Sequence, residues 1–386
     1  MPPMRILVAP CTFKGSLSAR LAAAAIARGL VSAGLEADEL PLSDGGEGLV
    51  DCFLTLPGAE RVEVEATGPM GRPVRAAYAL LSPSTPGSQP ATAVIEMAAS
   101  SGLPLVPEAG RNPLLATTRG FGELILDAAR RGARSLLLGI GGSATVDGGA
   151  GMAAALGVRL LDDRGRELPD GGGALERLAR IDAAGLPPAI RALEIRVACD
   201  VDSPLLGPTG AARMFGPQKG ATPEMVERLE VALGRMAGCV LADLDRDVAG
   251  LPGAGAAGGL GAGLVAFLGA RLVPGADLVM DAVGFDARLR SARCLVTGEG
   301  ALDVQSLRGK APVAAARRAA RAGVPAAALV GCARLPADEA RGAGLARVWQ
   351  LTELAPPADC VARAGEMLER LARCHAGEIA ALAGGE

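Results

Sequence analysis

Short apolar runs that end in polar or glycine-rich loops and lead into alanine-rich segments constrain the fold of this chain most strongly. Residues 4–9 form such a run, and the helical composition of residues 18–29 follows after a polar turn. Residues 135–140 repeat the pattern, with a glycine-rich loop at 141–149 before the helical segment 150–156. A short apolar run, a loop and a helix make up the βα unit of a parallel sheet. The sequence therefore predicts an α/β protein.

A different pattern between residues 61 and 78 predicts a second kind of sheet. Residues 61–66 alternate between apolar and polar, and residues 73–78 follow a turn at 68–71, as the strands of a hairpin do. Residues 294–303 then return to the βα pattern of the N-terminus. At about 150 residues per domain, a chain of 386 residues has room for two domains.

We therefore predict a discontinuous domain and an inserted one. Residues 1–64 and 291–386 are expected to form a Rossmann-like or flavodoxin-like α/β domain with a parallel sheet. Residues 65–290 are expected to form the inserted α/β domain, with a mixed sheet. The serine, proline and threonine content of residues 82–92 is typical of a surface loop between strands.

Composition argues against several classes of function. A net charge of -3 and 2% aromatic residues do not favour nucleic-acid binding. No apolar run reaches the length of a membrane span and the N-terminus does not read as a signal peptide, so we expect a cytoplasmic protein with no membrane partner. The eight cysteines show no C-x-x-C spacing, which indicates reduced thiols rather than zinc ligands or disulfides.

Lysine is rare in this chain and always adjoins glycine. Among 39 basic residues only Lys14, Lys219 and Lys310 are lysines, and each has a glycine neighbour. A compact ammonium beside flexible backbone suits phosphate binding. A coding bias toward arginine that left three lysines by chance is the alternative interpretation.

Carboxylates are better candidates than histidine for acid–base chemistry. The single histidine, His375, falls in an amphipathic C-terminal segment, where a solvated helix position is expected. Acidic residues instead occur in loops near glycine: Asp44, Glu47, Asp147, Asp200, Asp202, Glu299 and Asp303. Loop carboxylates can hold Mg²⁺ while lysines and backbone N–H groups offset phosphoryl charge, so the combination favours phosphoryl transfer. For each acidic residue a turn-forming role is the alternative.

Two other motifs have weaker support. Residues 253–258 match G-x-G-x-x-G, with Asp277 beyond them, but a helical pattern rather than a buried strand precedes them, which argues against NAD binding. Residues 141–145 resemble a nucleophile elbow that lacks its last glycine and a convincing histidine partner, which argues against a hydrolase. A Walker A loop is absent from the sequence.

Eight motifs in order resemble the type I glycerate kinases, which phosphorylate D-glycerate with ATP. They lie at residues 9–18, 43–48, 67–74, 96–103, 141–149, 198–207, 215–221 and 297–303. The resemblance spans nearly the whole chain. It implies two α/β domains with an active site in the cleft between them, where glycerate, ATP and Mg²⁺ meet. The resemblance also implies that the glycine-rich run at 252–261 is a motif of this family and does not bind a dinucleotide.

The resemblance implies ATP-dependent phosphorylation of D-glycerate to 2-phosphoglycerate, with 3-phosphoglycerate as the less favoured product. The enzyme is expected to be a monomer or a homodimer. The expected catalytic residues are Lys14, Asp44, Asp200 and Lys310, and the expected Mg²⁺ ligands are Asp200 and Asp303. The expected substrate-binding or phosphate-binding residues are Ser16, Gly45, Gly46, Arg72, Gly141, Gly142, Ser143, Asp147, Lys219 and Glu299. Arg72 is the expected partner of the glycerate carboxylate.

The chain departs from the family pattern at several positions. Cys11 stands where the family commonly has aspartate, Val146 where it has asparagine, and Arg119 and Phe121 where tyrosine and threonine are common. Three alternatives therefore stay open: a kinase for a related small hydroxy acid, a non-catalytic glycerate sensor, and a hydrolase that would depend on His375.

Overall fold

The structure, a computed structural model, describes residues 5–82 and 91–385. The loop predicted at 82–92 lies, apart from its ends, outside the described residues. The chain divides into two compact units. The first unit contains the described residues up to Asp44, Asp51–Leu56, and the described residues from Pro274 onward. The second unit contains Gly45–Val50 and the described part of Pro57–Val273.

Strands and helices alternate along most of the chain. The strands are β1 (Arg5–Pro10), β2 (Glu36–Glu39), β3 (Ala59–Thr67), β4 (Pro73–Leu81), β5 (Thr92–Glu96), β6 (Ser135–Gly139), β7 (Arg159–Leu161), β8 (Arg180–Asp182), β9 (Glu194–Ala198), β10 (Arg271–Val273), β11 (Cys294–Gly298), β12 (Ala301–Leu302), β13 (Ala326–Val330), β14 (Cys332–Ala333) and β15 (Leu345–Gln350). The helices are α1 (Ala19–Ser32), α2 (Leu49–Phe53), α3 (Ala98–Ser101), α4 (Arg119–Arg130), α5 (Ala150–Ala155), α6 (Pro188–Arg191), α7 (Ala211–Phe215), α8 (Pro223–Leu244), α9 (Ala256–Leu268), α10 (Gly275–Ala282), α11 (Phe285–Ser291), α12 (Ala311–Arg321), α13 (Ala337–Gly342), α14 (Pro357–Ala362), α15 (Ala364–Cys374) and α16 (Ala376–Gly384). Within the described residues, none of these helices has both the length and the apolar character that crossing a membrane requires.

The first unit is a doubly wound parallel sheet. Its strand order is β15-β13-β11-β1-β2, and every neighbouring pair is parallel. Numbered within this sheet, the order is 2-1-3-4-5, that of flavodoxin-like folds, and the winding direction reverses between β1 and β11. The central strands β11 and β13 are buried on both faces, as parallel strands covered by helices are. The predicted parallel α/β domain is confirmed as a fold class.

Small residues let helices approach closely in the first unit. Ser18 caps α1, its Oγ accepting a hydrogen bond from the Leu21 N–H at 3.3 Å. Helix α1 buries a run of alanines and packs against α15. A Cβ at Gly29 would overlap the Glu369 carbonyl oxygen, so glycine is required where the two helices meet.

The second unit contains the predicted mixed sheet. Strands β10, β9, β6 and β5 are parallel, and β4 and β3 continue the sheet as an antiparallel hairpin. The hairpin expected from the alternation at 61–66 is confirmed, with Thr67 opposite Pro73 beside the turn. The hydroxyl of the buried Tyr78 donates a hydrogen bond to Asp127 at 2.8 Å. Strand β3 is the sheet edge, and its exposed side chains include Glu60, Arg61, Glu63 and Glu65.

The glycine-rich run at 253–259 is a packing element. Helix α8 precedes it, and the described residues between α8 and α9 form no strand, consistent with the sequence argument against a dinucleotide site. At the start of α9, Ala257, Gly258 and Gly259 have φ of 54°, 71° and 88°. A Cβ at Gly258 would overlap the Thr145 carbonyl oxygen, and the Gly148 N–H donates to the Gly258 carbonyl at 3.1 Å. The run therefore supports the loop at 141–149.

Two glycine-to-alanine substitutions test this packing. Gly258→Ala is expected to lower the free energy of unfolding by roughly 2–5 kcal/mol, because it adds backbone strain to a steric overlap. Gly238→Ala is the matched control, since Gly238 lies inside α8 with no atom within 4 Å of an added Cβ. It is expected to raise stability by up to about 1 kcal/mol. Urea denaturation measures both, and equal midpoints for the two variants would contradict the packing role.

Candidate active site

The carboxyl ends of β1 and β11 form the point in the first unit where strand winding reverses. Ligands of open α/β sheets bind outside the carboxyl ends of the strands at such a point. Cys11 follows β1 and Glu299 follows β11, and the Cys11 N–H donates to the Gly298 carbonyl at 2.7 Å. Lys14 and Ser16 are exposed on a tight turn that is closed by hydrogen bonds between 13 and 17. Two of the predicted site residues therefore lie on one loop at this edge.

Glu299, Asp303 and Lys310 form a charged cluster beside this edge. Lys310 Nζ lies 3.7 Å from Glu299 Oε2 and 3.7 Å from Asp303 Oδ1. Burial raises the pKa of Glu299, whose side chain is 9% exposed, against the opposing effects of Ser306 and Lys310. Partial burial also acts to raise the pKa of Asp303, but Lys310 and hydrogen bonds from Ser306 and Gln305 lower it overall. Lys310 therefore bridges one carboxylate that resists ionisation and one that favours it.

Cys11 is a neutral thiol in this environment. Burial raises its pKa well above the ordinary value, and the negative charges of Asp44 and Glu299 add to the shift. The first unit therefore brings Cys11, Asp44 and Glu299 within electrostatic reach of one another. Because the thiol stays protonated at neutral pH, Cys11 does not replace the charge of an aspartate at its position. Asp303, whose pKa is lowered, is the carboxylate of this edge that favours the ionised form.

Glycines occupy the carboxyl end of β6 in the second unit. A Cβ at Gly139 would lie 2.5 Å from the Gly45 carbonyl oxygen, and one at Gly141 would lie 3.2 Å from Gly46 Cα. The Val50 N–H donates to Glu96 Oε1 at 2.7 Å, which ties the 45–50 segment to the end of β5. The structure therefore brings Gly45, Gly46 and Gly141 together.

Asp147 is buried inside its own loop. Its carboxylate accepts hydrogen bonds from the Thr118 N–H and hydroxyl at 2.9 Å, from Gly149 N–H at 3.1 Å and from Gly151 N–H at 3.2 Å. Burial raises its pKa and these hydrogen bonds oppose the shift. The N–H groups at the start of α5 are thus directed at a carboxylate of the protein, and the exposed part of the loop is Gly141 and Gly142.

Lys219 is buried and is held by the same loop. It ends the turn Pro217–Lys219, which Gly220 closes with a φ of 90°. Its Nζ donates to Ser143 Oγ and to the Thr145 carbonyl oxygen, both at 2.7 Å. Burial lowers its pKa to about 7, with the charge of Asp147 opposing the shift. The predicted residues Ser143 and Lys219 are therefore in direct contact.

The remaining predicted residues are placed as follows. Arg72 is exposed in the β3–β4 turn, where the Gly68 N–H donates to the Arg72 carbonyl at 2.7 Å. Because β3 runs parallel to β5, this turn shares the sheet edge with the carboxyl ends of β5, β6 and β9. Asp200 is exposed beyond β9 at the same edge.

His375 is not the solvated residue that the sequence suggested. Its ring stacks on Trp349 with 4.6 Å between centroids, and Nδ1 lies 2.8 Å from Glu378 Oε1. The side chain is only 22% exposed. The prediction of a solvated histidine was wrong, because the helical pattern around His375 cannot show that Trp349, on the distant strand β15, stacks on its ring. These contacts give His375 a packing role.

Sequence reasoning missed Thr118 and Ser306. Thr118 donates to Asp147 and accepts a hydrogen bond from the Met152 N–H at 2.9 Å. The Thr117-Thr118 pair directly before α4 was a signal for a helix start. Ser306 Oγ accepts from the Asp303 N–H at 3.1 Å, and an acidic residue three positions before a serine is a turn signal.

Removing the Asp147 carboxylate tests its structural role. Asp147→Ala is expected to lower the free energy of unfolding by about 3 kcal/mol or more, because buried N–H donors lose their acceptor. Asp163→Ala is the control, since Asp163 is exposed in the turn after β7, and a change within about 0.5 kcal/mol is expected. Guanidinium denaturation compares the two. Equal stabilities would mean that the loop does not depend on this carboxylate.

Comparisons with known proteins identify the family of the chain. The model of the glycerate kinase family matches residues 6–380. Glycerate kinase of Bacillus subtilis (strain 168) is 45% identical over 97% of this chain and 98% of that protein, and glycerate 2-kinase of Escherichia coli (strain K12) is 46% identical over 85% of each. A crystal structure of a provisionally named glycerate kinase 2 from Salmonella typhimurium LT2 is 43% identical, covers 98% of this chain and 99% of that one, and superposes with a TM-score of 0.86. The resemblance carried by the eight motifs is confirmed: the chain belongs to the glycerate kinase family.

Proposed function

We propose that this enzyme transfers the γ-phosphoryl group of ATP to the C2 hydroxyl of D-glycerate, giving 2-phosphoglycerate. The observation that carries the proposal is the cluster of lysines and carboxylates at the winding reversal of the first unit. Phosphoryl transfer depends on positioning and on stabilising charge rather than on a covalent step with the protein. The Escherichia coli relative, named a glycerate 2-kinase, supports the choice of hydroxyl.

Lys14 and Lys310 act on the charge of the transferred group. Lys14 is exposed at the tip of its turn, so its ammonium is available to a ligand at the carboxyl end of β1. Lys310 lies between Glu299 and Asp303, and these carboxylates hold it in place for a phosphate oxygen. Asp44 is the proposed acceptor of the hydroxyl proton, because it is an aspartate on the loop beyond β2 at this edge.

The carboxylates present fit Mg²⁺. Oxygen atoms are its preferred ligands, and kinases hold it through one or two carboxylates plus phosphate oxygens and water. Asp303 meets this need, because the Gln305 and Ser306 N–H groups donate to its Oδ1 and orient the carboxylate. Asp200 is a second proposed oxygen ligand. Bound Mg²⁺ supplies positive charge to the phosphate oxygens.

The second unit contributes a surface of bare backbone. Gly141 and Gly142 are exposed at the carboxyl end of β6 and have no side chain, so a small substrate can approach this backbone, with Gly45 and Gly46 packed beside it. Arg72 adds positive charge at the same sheet edge, which attracts an anionic substrate. Asp147 acts indirectly in this proposal, by fixing the loop that follows Gly141 and Gly142.

A ³¹P NMR time course tests the reaction. The intact protein with ATP, Mg²⁺ and D-glycerate is expected to give a phosphomonoester resonance, because the terminal phosphate becomes an ester. Proton coupling splits it into a doublet for 2-phosphoglycerate, whose phosphate is on a CH carbon, and a triplet for 3-phosphoglycerate, whose phosphate is on a CH₂ carbon. A triplet would overturn the choice of hydroxyl. Binding of D-glycerate without any new resonance would instead favour a sensor.

Substitution of the two lysines tests their roles. Lys14→Met and Lys310→Met are each expected to lower kcat about 100-fold, the usual effect of removing one group that stabilises developing charge. Arg20→Met is the control, because Arg20 is an exposed cation at the start of α1, and its kcat is expected to stay within about twofold. Steady-state kinetics measure all three. A lysine variant with normal kcat would remove that lysine from the mechanism.

A further inference from the structure

The second unit buries Lys219 without a direct ion pair in the described part of the chain. Lys219 is 2% exposed, and the contacts of its side chain within the described residues are hydrogen bonds rather than ion pairs. Its two hydrogen bonds go to neutral oxygens, Ser143 Oγ and the Thr145 carbonyl. A buried charge without an ion pair is costly. Its presence is explained if an anionic ligand provides the missing charge.

Ser143 can connect this buried ammonium to a ligand. Its hydroxyl accepts a hydrogen bond from Lys219 and, within the described residues, donates none. A hydroxyl has one proton to donate, and accepting a bond from an ammonium strengthens that donation. Ser143 is 7% exposed and directly follows Gly141 and Gly142, which are exposed at the carboxyl end of β6. The hydroxyl therefore lies just beneath accessible backbone.

Two buried polar groups beside Lys219 and its turn also lack hydrogen-bond partners within the described residues. Arg111 faces its turn, because a Cβ at Gly220 would lie 2.8 Å from Arg111 Cβ. The Nε of Arg111 and the Oγ1 of Thr145 are both buried with no hydrogen bond in the described part of the chain. Asp147 is the acidic group whose charge acts on Lys219, and its carboxylate already accepts four hydrogen bonds.

We propose that Lys219, acting through Ser143, makes this loop the binding site for the carboxylate of D-glycerate. The inference rests on the proposed function. A single ammonium behind a single hydroxyl matches one negative charge, whereas the several charges of a triphosphate match the accessible Lys14 and Lys310 of the first unit. Ser143 would touch the substrate, and Lys219 is a positioning residue behind it.

Proton uptake is the signature of this arrangement. Because the pKa of Lys219 is about 7, part of the lysine is neutral in the ligand-free protein at pH 7.5. A bound carboxylate favours the charged form, so binding of D-glycerate takes up a proton. The neighbouring carboxylate of Asp147 keeps its four hydrogen-bond donors. A lysine with a purely structural role would give no such uptake.

Titration calorimetry of the intact protein with D-glycerate, in two buffers of different ionisation enthalpy at pH 7.5, measures this uptake. The wild type is expected to take up a measurable fraction of a proton, because burial lowers the pKa of Lys219 in the ligand-free protein. Lys219→Met is expected to abolish the uptake and to weaken binding about 10-fold to 100-fold. Ser143→Ala is expected to weaken binding similarly, and it tests the proposal even if Lys219→Met does not fold.

Ser100→Ala is the matched control. Ser100 is also fully buried, and its hydroxyl has no hydrogen bond in the described residues, so its loss is expected to leave affinity and proton uptake unchanged. In steady-state kinetics, Ser143→Ala is expected to raise KM for D-glycerate and leave KM for ATP unchanged.

The opposite pattern, a raised KM for ATP alone, would overturn the carboxylate assignment in favour of a phosphate. Wild-type binding without proton uptake, or no binding of D-glycerate, would also overturn it. Binding with uptake but no phosphomonoester in the NMR experiment would contradict the proposed function and leave this inference standing.

Discussion

The buried carboxylate of Asp147 is the interaction on which the loop of the second unit depends. It accepts hydrogen bonds from the start of α4 and from the start of α5, so one side chain fixes two helices and the loop between β6 and α5. Glycine makes this possible, because residues 148 and 149 both have positive φ. The contact between Ser143 and Lys219 exists only because this loop has one conformation. A buried side chain, that of Asp147, thus determines the backbone conformation of the loop that contains the exposed Gly141 and Gly142.

The candidate binding surfaces of the two units are formed in different ways. The first uses topology: two neighbouring strands lead in opposite directions, and the loops that follow them expose Lys14 and carry Glu299. The second has no winding reversal among its parallel strands, whose order follows the chain. It uses close packing instead, with Gly45 against Gly139 and Gly258 against Thr145. The first arrangement leaves charged side chains accessible, and the second leaves bare backbone over a buried cation.

The sequence was sufficient for the fold class and the family. Apolar runs and glycine loops predicted the parallel sheet, and the alternation at 61–66 predicted the hairpin, because both patterns are local. The burial of Lys219 could not be predicted, since its partner Ser143 is 76 residues away and lysine beside glycine is equally compatible with an exposed site. The stacking of His375 on Trp349 is long-range in the same way. The roles of the site residues and the domain limits at 64/65 and 290/291 stay predictions, because spacing does not fix either.

The two edges of the mixed sheet differ in length. Strand β10 ends the mixed sheet with three residues, whereas β3 ends it with nine. A long unpaired edge offers backbone hydrogen bonds to any extended chain. Along β3, Glu60, Arg61, Glu63 and Glu65 are exposed, so an incoming strand would have to desolvate charges to pair there. The same alternation that builds the hairpin thus protects the protein from edge-to-edge aggregation.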